Sequence, residues 1–294
     1  MTAPRQILPG TTYLVTRRCA QRQFLLPPGQ TTNGVVGYVL AVAAKRYGVL
    51  VHAYCVLSNH IHLVVTDPGA RLPAFEQYLD SLVARALNAS LGRWESFWAP
   101  RSNSAVVLVD PHDVVAKAAY VLGNPVAAGI VRRGRDWTGL WSAPERMGVG
   151  ATDFPRPHAF FRPDGSMPEV ARLELALPPG FSSASGFRER VSAGLADIEN
   201  RAGAALDRRP STRTGEARVR PSALAPREPR RALNPRVAAL DTTNRIAALA
   251  RLVAFLESYR YAWAARRGGD RSAVFPAGTY LMRVMHGVPC AASP

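Results

Sequence analysis

The chemically most specific motif of the chain is a pair of histidines separated by one residue. His60 and His62 lie in the segment SNHIHLVV, residues 58–65. On a strand, side chains alternate between the two faces, so both imidazoles share one face while Ile61 and Leu63 point to the other. Imidazole is a common ligand of divalent metal ions, and the pair therefore predicts half of a metal site. The alternative, one histidine in the core and one exposed, stays open at this point.

A tyrosine and an asparagine four residues apart form a second motif. On a helix, Tyr120 and Asn124 share one face, one turn apart. A phenol, whose ordinary pKa is about 10, attacks phosphorus only when a metal or a base lies close to it. An asparagine carbonyl can complete a mixed nitrogen and oxygen coordination sphere for Mg²⁺ or Mn²⁺. In the alternative interpretation Tyr120 is a packing residue, and Asn124 ends the helix before Pro125.

These motifs lie in a region where strand-like and helix-like segments alternate in the order β-α-β-β-α-β-α. The pattern predicts an α+β fold with a ferredoxin-like split βαβ unit, in which helices cover one face of an antiparallel sheet. We expect the last helix to be interrupted at Asn124-Pro125. The predicted strands are 12–19, 49–57, 60–66 and 105–109, and the predicted helices are 33–47, 72–91 and 112–122.

The second half of the chain has a different composition. Residues 150–180 are rich in Pro, Phe and Gly and are expected to be irregular, whereas 187–206 and 242–267 have helical periodicity. Many arginines and prolines with few apolar residues indicate a flexible basic linker between those helices. The predicted division is a catalytic domain at 8–145, an irregular and helical extension at 146–206, an Arg/Pro-rich linker at 207–236 and a helical segment at 237–294. The fold prediction thus includes a mostly helical, basic C-terminal extension.

The charge of the chain favours a polyanionic partner. Lysine and arginine total 37 against 21 acidic residues, which gives a net charge of +16 and an isoelectric point near 10.9. Basic side chains that neutralise phosphates release condensed counterions, so nucleic acid is the favoured partner. A biased genome composition is the alternative, since only two of these residues are lysines. The candidate DNA contacts near the predicted site are Arg17, Arg18, Trp98, Arg101, Arg132 and Arg133.

Cysteine usage and hydropathy bear on the compartment. The three cysteines are widely spaced and include no CxxC pair, which indicates neither a zinc cage nor a disulfide framework. The first residues lack the pattern of a signal peptide, and no apolar run approaches the roughly 20 residues of a membrane helix. We therefore expect a soluble protein in a reducing cytoplasm, with no membrane partner.

Taken in order, the motifs resemble the single-tyrosine HUH transposases, and more closely the REP-associated tyrosine transposases of bacteria. The resemblance covers about residues 8–145. It is carried by SNHIHLVV, the long helix after it, Phe97-Trp98 and the pattern Tyr120-x-x-x-Asn124-Pro-Val-x-x-Gly129. The stretch from Asp136-Trp137 to Trp141-Ser142 is also similar to one that follows the tyrosine helix in that family.

The resemblance implies roles for these residues. His60 and His62 would hold a divalent metal, Mg²⁺ or Mn²⁺, and Tyr120 would be the nucleophile. Relatives often have glutamine four residues after the tyrosine as a third ligand, and here that position is Asn124, one methylene shorter. The implied reaction is a transesterification on single-stranded or hairpin DNA that leaves a 5′-phosphotyrosine and a free 3′-hydroxyl. Related enzymes include dimers that share active sites, so a homodimer is compatible with the resemblance.

Two other functions stay open from the sequence. One is a DNA-binding, regulatory descendant of such a transposase that keeps the fold without catalysis. The other is a mononuclear iron oxygenase that uses His60, His62 and a carboxylate from another segment. The alternation of strands and helices argues against the oxygenase, because such enzymes usually have a double-stranded β-helix.

Overall fold

The computed structural model describes residues 4–100, 102–158, 160–206 and 235–293. It confirms a mixed α+β fold with a mainly antiparallel sheet. The strands are β1 (Thr11–Arg18), β2 (Leu50–Leu57), β3 (His60–Asp67), β4 (Ser104–Leu108), β5 (Ala151–Pro155), β6 (Val170–Glu174) and β7 (Val237–Ala238). The helices are α1 (Gln30–Tyr47), α2 (Leu72–Ser90), α3 (Pro111–Ala127), α4 (Ala184–Leu206), α5 (Thr242–Arg267) and α6 (Leu281–His286).

The central sheet has five strands in the order β2-β3-β1-β4-β7. β1 lies between β3 and β4 and is antiparallel to both, and β2 and β3 form an antiparallel pair. The short strand β7 joins the far side of β4 in parallel. The sequence reading missed β7, because two residues are too few to show an alternating pattern.

The helices cover both faces of the sheet. Arg17 on β1 forms an ion pair with Asp80 on α2, and α1 packs against α2. Thr16, the residue before Arg17, points to the opposite face of the sheet. On that face Thr16 contacts His62, and His62 contacts Tyr120 of α3. The prediction that the helices share one face is therefore wrong for α3. That helix buries an apolar side of its own, which the second face of the sheet must cover.

Helix α3 has well-formed ends, but it does not stop where the sequence suggests. Asp110 caps its start by accepting the backbone N–H groups of His112 and Asp113. The helix then continues through Pro125 to Ala127, so the predicted interruption at Asn124-Pro125 is wrong. Pro125 has no N–H to donate to the carbonyl four residues before it, so one helical hydrogen bond is absent in the last turn. Gly129, at φ 66°, closes the helix in a left-handed conformation.

The region after residue 145 packs onto this framework. Strands β5 and β6 form an antiparallel pair where the sequence indicated irregular chain. The ring of Phe154 on β5 lies directly over Gly37 of α1, and α4 packs against α3 with Gly194 beside Ala119. One buried apolar cluster runs from the sheet to Phe187 and Val191 of α4. The domain division given above stays a prediction.

The C-terminal part adds α5, α6 and a small buried cluster of Ala262, Phe275, Met282 and Val288. Most of the predicted basic linker, residues 207–234, lies outside the described residues. Within the described ranges, no helix combines the length and the apolar character needed to cross a membrane.

Candidate active site

The two histidines project from the start of β3, and each is held by a polar neighbour. His60 Nδ1 donates to Asn59 Oδ1 at 2.6 Å, and His62 Nδ1 lies 2.9 Å from Thr16 Oγ1, directly across the strand pair. The ring centroids are 4.7 Å apart. Because both Nδ1 atoms are engaged, a metal ion would have to bind through the Nε2 atoms. Anchoring of this kind fixes the tautomer and the ring orientation of histidine ligands.

The surroundings keep both imidazoles neutral. Burial, followed by the charge of Arg18, lowers the pKa of His60 to about 4, while a hydrogen bond with the Asn124 side chain opposes the shift. Burial and the neighbouring His60 also lower the pKa of His62 well below its ordinary value. A neutral imidazole has a free lone pair, which is the form that binds a metal.

Tyr120 approaches this pair from helix α3. Its ring centroid lies 5.6 Å from that of His62, with the rings nearly perpendicular at 77°. The side chain is 43% exposed, in contrast to the buried neighbours on α3 such as Ala119 and Val121. An exposed phenol beside the buried His62 and the half-buried His60 is accessible to a macromolecular substrate.

Asn124 completes the group one helical turn further along. Its Nδ2 donates to the backbone carbonyl of Tyr120 at 3.0 Å, and its side chain also hydrogen bonds with His60. The four residues singled out from the sequence therefore meet in one place, although they come from two separate elements. The i, i+2 spacing on β3 and the i, i+4 spacing on α3 both produce shared faces.

Two positive charges border the site. Arg18 on β1 lies directly opposite His60 on β3 in the strand register, so both side chains are on the same face of the sheet. Lys117 was missed by the sequence reading, and its Nζ lies 5.6 Å from the Tyr120 ring centroid. Its position three residues before Tyr120 on a helix is the signal that identifies it.

This donor set could hold a divalent ion with open coordination positions. It consists of two neutral imidazoles and one side-chain amide, all close together, and it contains no carboxylate. Among the described residues there is no group of three or more His, Cys, Asp or Glu that could hold a metal. The carboxylate that the oxygenase hypothesis requires is thus not found beside His60 and His62 in this part of the chain. An amide oxygen in place of a carboxylate leaves the site uncharged and suited to an anionic substrate.

Two of the predicted DNA contacts lie on the other face of the sheet. The Nε of Arg17 is 2.8 Å from Asp80 Oδ2, and its guanidinium also lies over the Trp98 ring. Trp98 is 7% exposed and donates its indole N–H to the Asp80 carbonyl. These side chains pack between the sheet and α2, so neither is presented to the histidine site. Arg101 lies outside the described residues.

The remaining predicted contacts follow the end of α3. Arg132 and Arg133 are both exposed. His112, near the start of the helix, has a largely exposed side chain and lies 3.8 Å from its neighbour Asp110, far along α3 from Tyr120. It is a surface residue and not part of the site.

The loop after α3 connects the helix to the sheet. Trp141 donates its indole N–H to the Leu122 carbonyl of α3 at 3.1 Å, and Trp137 donates to the Val56 carbonyl of β2 at 3.0 Å. Backbone bonds from Val56 to Leu140 and from Ser142 to Tyr54 hold the same loop along the outer edge of β2. This loop, residues 137–142, is called the tryptophan loop below. It sets the position of α3, and hence of Tyr120, relative to the histidines.

Two solved structures are among those similar to this chain. One is described as a REP-associated tyrosine transposase bound to a REP hairpin. It is 19% identical, covers 47% of this chain and 79% of its own, and has a TM-score of 0.40. The other, from Deinococcus radiodurans, is provisionally described as a transposase. It is 18% identical, covers 41% of this chain and 95% of its own, and has a TM-score of 0.30. No protein-family model and no curated protein matches the chain.

Proposed function

We propose that this protein is a metal-dependent endonuclease of the transposase kind, which nicks and rejoins single-stranded DNA through a 5′-phosphotyrosine. The meeting of Tyr120 with His62 carries the proposal. The support is that a candidate nucleophile on α3 and two candidate metal ligands on β3 lie in contact, with the phenol exposed. The net charge of +16 supports DNA as the substrate.

The chemistry is a phosphoryl transfer without net loss of a phosphodiester. The Tyr120 oxygen bonds to the scissile phosphorus as the bond from phosphorus to the 3′-oxygen breaks. The phenolic proton leaves to solvent, and the departing 3′-oxygen takes one up. A 3′-hydroxyl of another strand attacks the phosphotyrosine in the reverse step, and this joins the strands. A bound divalent metal would polarise the scissile phosphate.

The residues of the chain have separate tasks in this scheme. His60, His62 and Asn124 would hold the metal, and Asn59 and Thr16 orient the two rings. Arg18 and Lys117 place positive charge where the phosphates of the strand must lie for Tyr120 to reach one of them.

We also propose that the β2-β3-β1-β4 part of the sheet is a ferredoxin-like split βαβ unit. Its support is the strand order together with the two crossover helices α1 and α2 on one face. In this arrangement β3 is internal, which gives the histidines a rigid base.

The decisive test is covalent capture of DNA. The full chain is incubated with Mn²⁺ or Mg²⁺ and 5′- or 3′-labelled hairpin-bearing single strands, and adducts that resist denaturant are counted on a gel. Tyr120→Phe should abolish the adduct, and Tyr261→Phe, an 81% exposed tyrosine on α5, should leave it unchanged. An adduct that persists in Tyr120→Phe excludes Tyr120 as the nucleophile. Binding without any adduct for the unmodified chain, on several substrates, would favour the regulatory descendant instead.

A further inference from the structure

A cleft lined by arginines lies at the end of β3 that is remote from the histidines. It has a volume of about 660 Å³ and opens between the end of α1, the connection from β3 to α2, and α6. Each of these three segments contributes one arginine to the lining, namely Arg46, Arg71 and Arg283. The site is called the arginine cleft below.

The three guanidinium groups have no acidic partner in the described part of the chain. All three side chains are exposed, and none forms an ion pair with a described carboxylate. Among the described residues that line the cleft, none is acidic. The carboxylate of Asp67, at the end of β3, is buried and accepts the backbone N–H groups of Gly69 and Leu72. The positive charge of the cleft is therefore not balanced from within this part of the chain.

Arg46 is held by aromatic rings and not by a carboxylate. Its Cζ lies 5.2 Å from the ring centroid of Tyr78 and 5.9 Å from that of Tyr47. The two rings meet edge to face, with 5.8 Å between their centroids. A cation–π contact restrains a guanidinium without using the N–H donors that pair with oxyanions. Arg46 is thus partly fixed in position while its hydrogen-bonding capacity stays available.

Tyr280 places a phenol beside the other two arginines. Burial raises the pKa of Tyr280, and the charges of Arg283 and Arg71 oppose that shift. Both guanidinium groups therefore lie within electrostatic reach of the hydroxyl. Because the phenol stays protonated at neutral pH, it is able to donate a hydrogen bond to an anion in the cleft. Within the described ranges it donates to no other residue.

This set of donors matches a tetrahedral oxyanion. An arginine offers parallel N–H groups that bond two oxygens of one phosphate, and a phenol can donate to a further oxygen. A carboxylate has only two oxygens and would leave part of the donor set unpaired. Donors that converge from three segments and a side-chain phenol therefore favour phosphate over a carboxylate ligand.

We propose that the arginine cleft binds a phosphate group, supplied by the backbone of a DNA strand or by a free phosphorylated molecule. In favouring DNA, the inference rests on the proposed function. β3 begins at His60 and ends at Asp67, so its two ends are about 23 Å apart. The cleft also lies beside α1 and α2, which cover the face of the sheet opposite Tyr120. The phosphate in the cleft is thus a different one from the phosphate that Tyr120 would attack.

The first arm of the test measures DNA binding in EDTA, where cleavage does not contribute. The probe is a fluorescein-labelled single strand of about thirty nucleotides, which at roughly 3.4 Å per nucleotide is long enough to reach both sites. Anisotropy is followed with the full chain over a series of salt concentrations. Arg71→Gln and Arg283→Gln should each weaken binding about three- to tenfold. Each should also reduce the slope of log affinity against log salt by about 0.7, the value for one phosphate contact of a single strand.

Arg260→Gln is the matched control. Arg260 is an exposed arginine of α5 that does not line the cleft. Its replacement removes the same charge and should change DNA binding by less than about twofold. Equal effects of Arg71→Gln and Arg260→Gln would mean general electrostatic attraction.

The second arm uses inorganic phosphate as the probe. Thermal unfolding of the full chain is compared in phosphate and in chloride at equal ionic strength. Phosphate that binds the folded chain at about ten times its Kd should raise the unfolding midpoint by roughly 2–4 °C. Arg71→Gln and Arg283→Gln should abolish this increase, and Arg260→Gln should keep it. The comparison with Arg260→Gln separates site binding from the general stabilising effect of phosphate.

The outcomes identify the source of the phosphate and keep this site separate from the nuclease. Selective loss in the second arm, with unchanged DNA binding, would support the cleft and assign a free phosphorylated molecule as its ligand. Selective loss of DNA binding with no Tyr120 adduct on any substrate would support the cleft and reject the nuclease. An adduct formed by Tyr120, with no selective loss in either arm, would overturn the cleft and leave the nuclease intact.

Discussion

His62 and Tyr120 meet edge to face, with 5.6 Å between their ring centroids, although one projects from β3 and the other from α3. The contact depends on α3 lying across the face of the sheet opposite α1 and α2. The packing of α3 on the sheet therefore brings the candidate nucleophile Tyr120 to the candidate metal ligand His62.

The first prediction concerns Thr16, which orients His62. Thr16→Val keeps the shape of the side chain but removes the partner of His62 Nδ1. Loss of such an outer hydrogen bond lowers metal affinity about 10- to 100-fold. Mn²⁺ binding, followed by electron paramagnetic resonance, provides the measurement. Thr12→Val is the control, since Thr12 is on the same strand and bonds to Thr66 instead. Equal Mn²⁺ affinity in the two variants would contradict an orienting role for Thr16.

The second prediction concerns the tryptophan loop. Trp141→Phe removes the hydrogen bond to the Leu122 carbonyl of α3, and Trp137→Phe removes the one to the Val56 carbonyl of β2. Each change should cost about 1 kcal/mol of unfolding free energy. Only Trp141→Phe should also slow adduct formation, because only that bond anchors the helix that carries the nucleophile. Equal slowing in both variants would show that the effect is one of stability alone.

The third prediction is a pH dependence of stability. His52 Nδ1 donates to the Ala176 carbonyl, and Nε2 of the neutral ring accepts from the Thr66 hydroxyl. Burial lowers the pKa of His52 from 6.5 to about 4. The unfolded chain thus binds a proton between these values and the folded chain does not. The contribution to stability is full above pH 6.5 and is lost as the pH falls towards 4, by about 3 kcal/mol in all.

Urea unfolding at pH 7.5 and pH 5 measures this effect. His52→Gln, which cannot take up a proton, should lose less stability between the two pH values than the unmodified chain. Parallel losses in both proteins would assign the acid sensitivity to other groups, such as His60 and His62, whose pKa values are also lowered.

The fourth prediction tests whether the β5–β6 pair is part of the main core. A Cβ at Gly37 would overlap the Phe154 ring, so Gly37→Ala should destabilise the chain by about 1–3 kcal/mol. Gly34 lies on the same helix with open space around it, and Gly34→Ala should stabilise by up to about 1 kcal/mol. Thermal unfolding distinguishes the two, and equal shifts in the same direction would contradict the packing of β5 on α1.

The sequence predicts the local parts of this site well. Alternation on β3 and the helical repeat on α3 place His60 with His62, and Tyr120 with Asn124, without any knowledge of the fold. The approach of the two pairs is a tertiary fact, because no local pattern states which face of the sheet α3 will cover. Thr16 could not be found for the same reason, since its place opposite His62 depends on the register between β1 and β3.

Other structural features differ from the predictions made from the sequence, each for its own physical reason. Arg17 is close in sequence to residues of the candidate site. Because side chains alternate along β1, it points to the opposite face of the sheet and contacts Asp80 there. Strands β5 and β6 are short and lie in chain rich in proline and glycine, where propensity indicates loops. Helix α3 passes through Pro125, although the residue before a proline disfavours the helical conformation and local propensity therefore predicts an end there.

The tryptophan loop also bears on how copies of this chain can associate. Its backbone bonds, together with the one from Ala176 to Val51, occupy hydrogen-bonding groups on the outer side of β2. Two molecules form a continuous sheet through edge strands whose backbone N–H and C=O groups are unpaired. On β2 several of these groups are already hydrogen bonded. Joining of the sheets of two copies through β2 would therefore first require the loop that positions Tyr120 to detach.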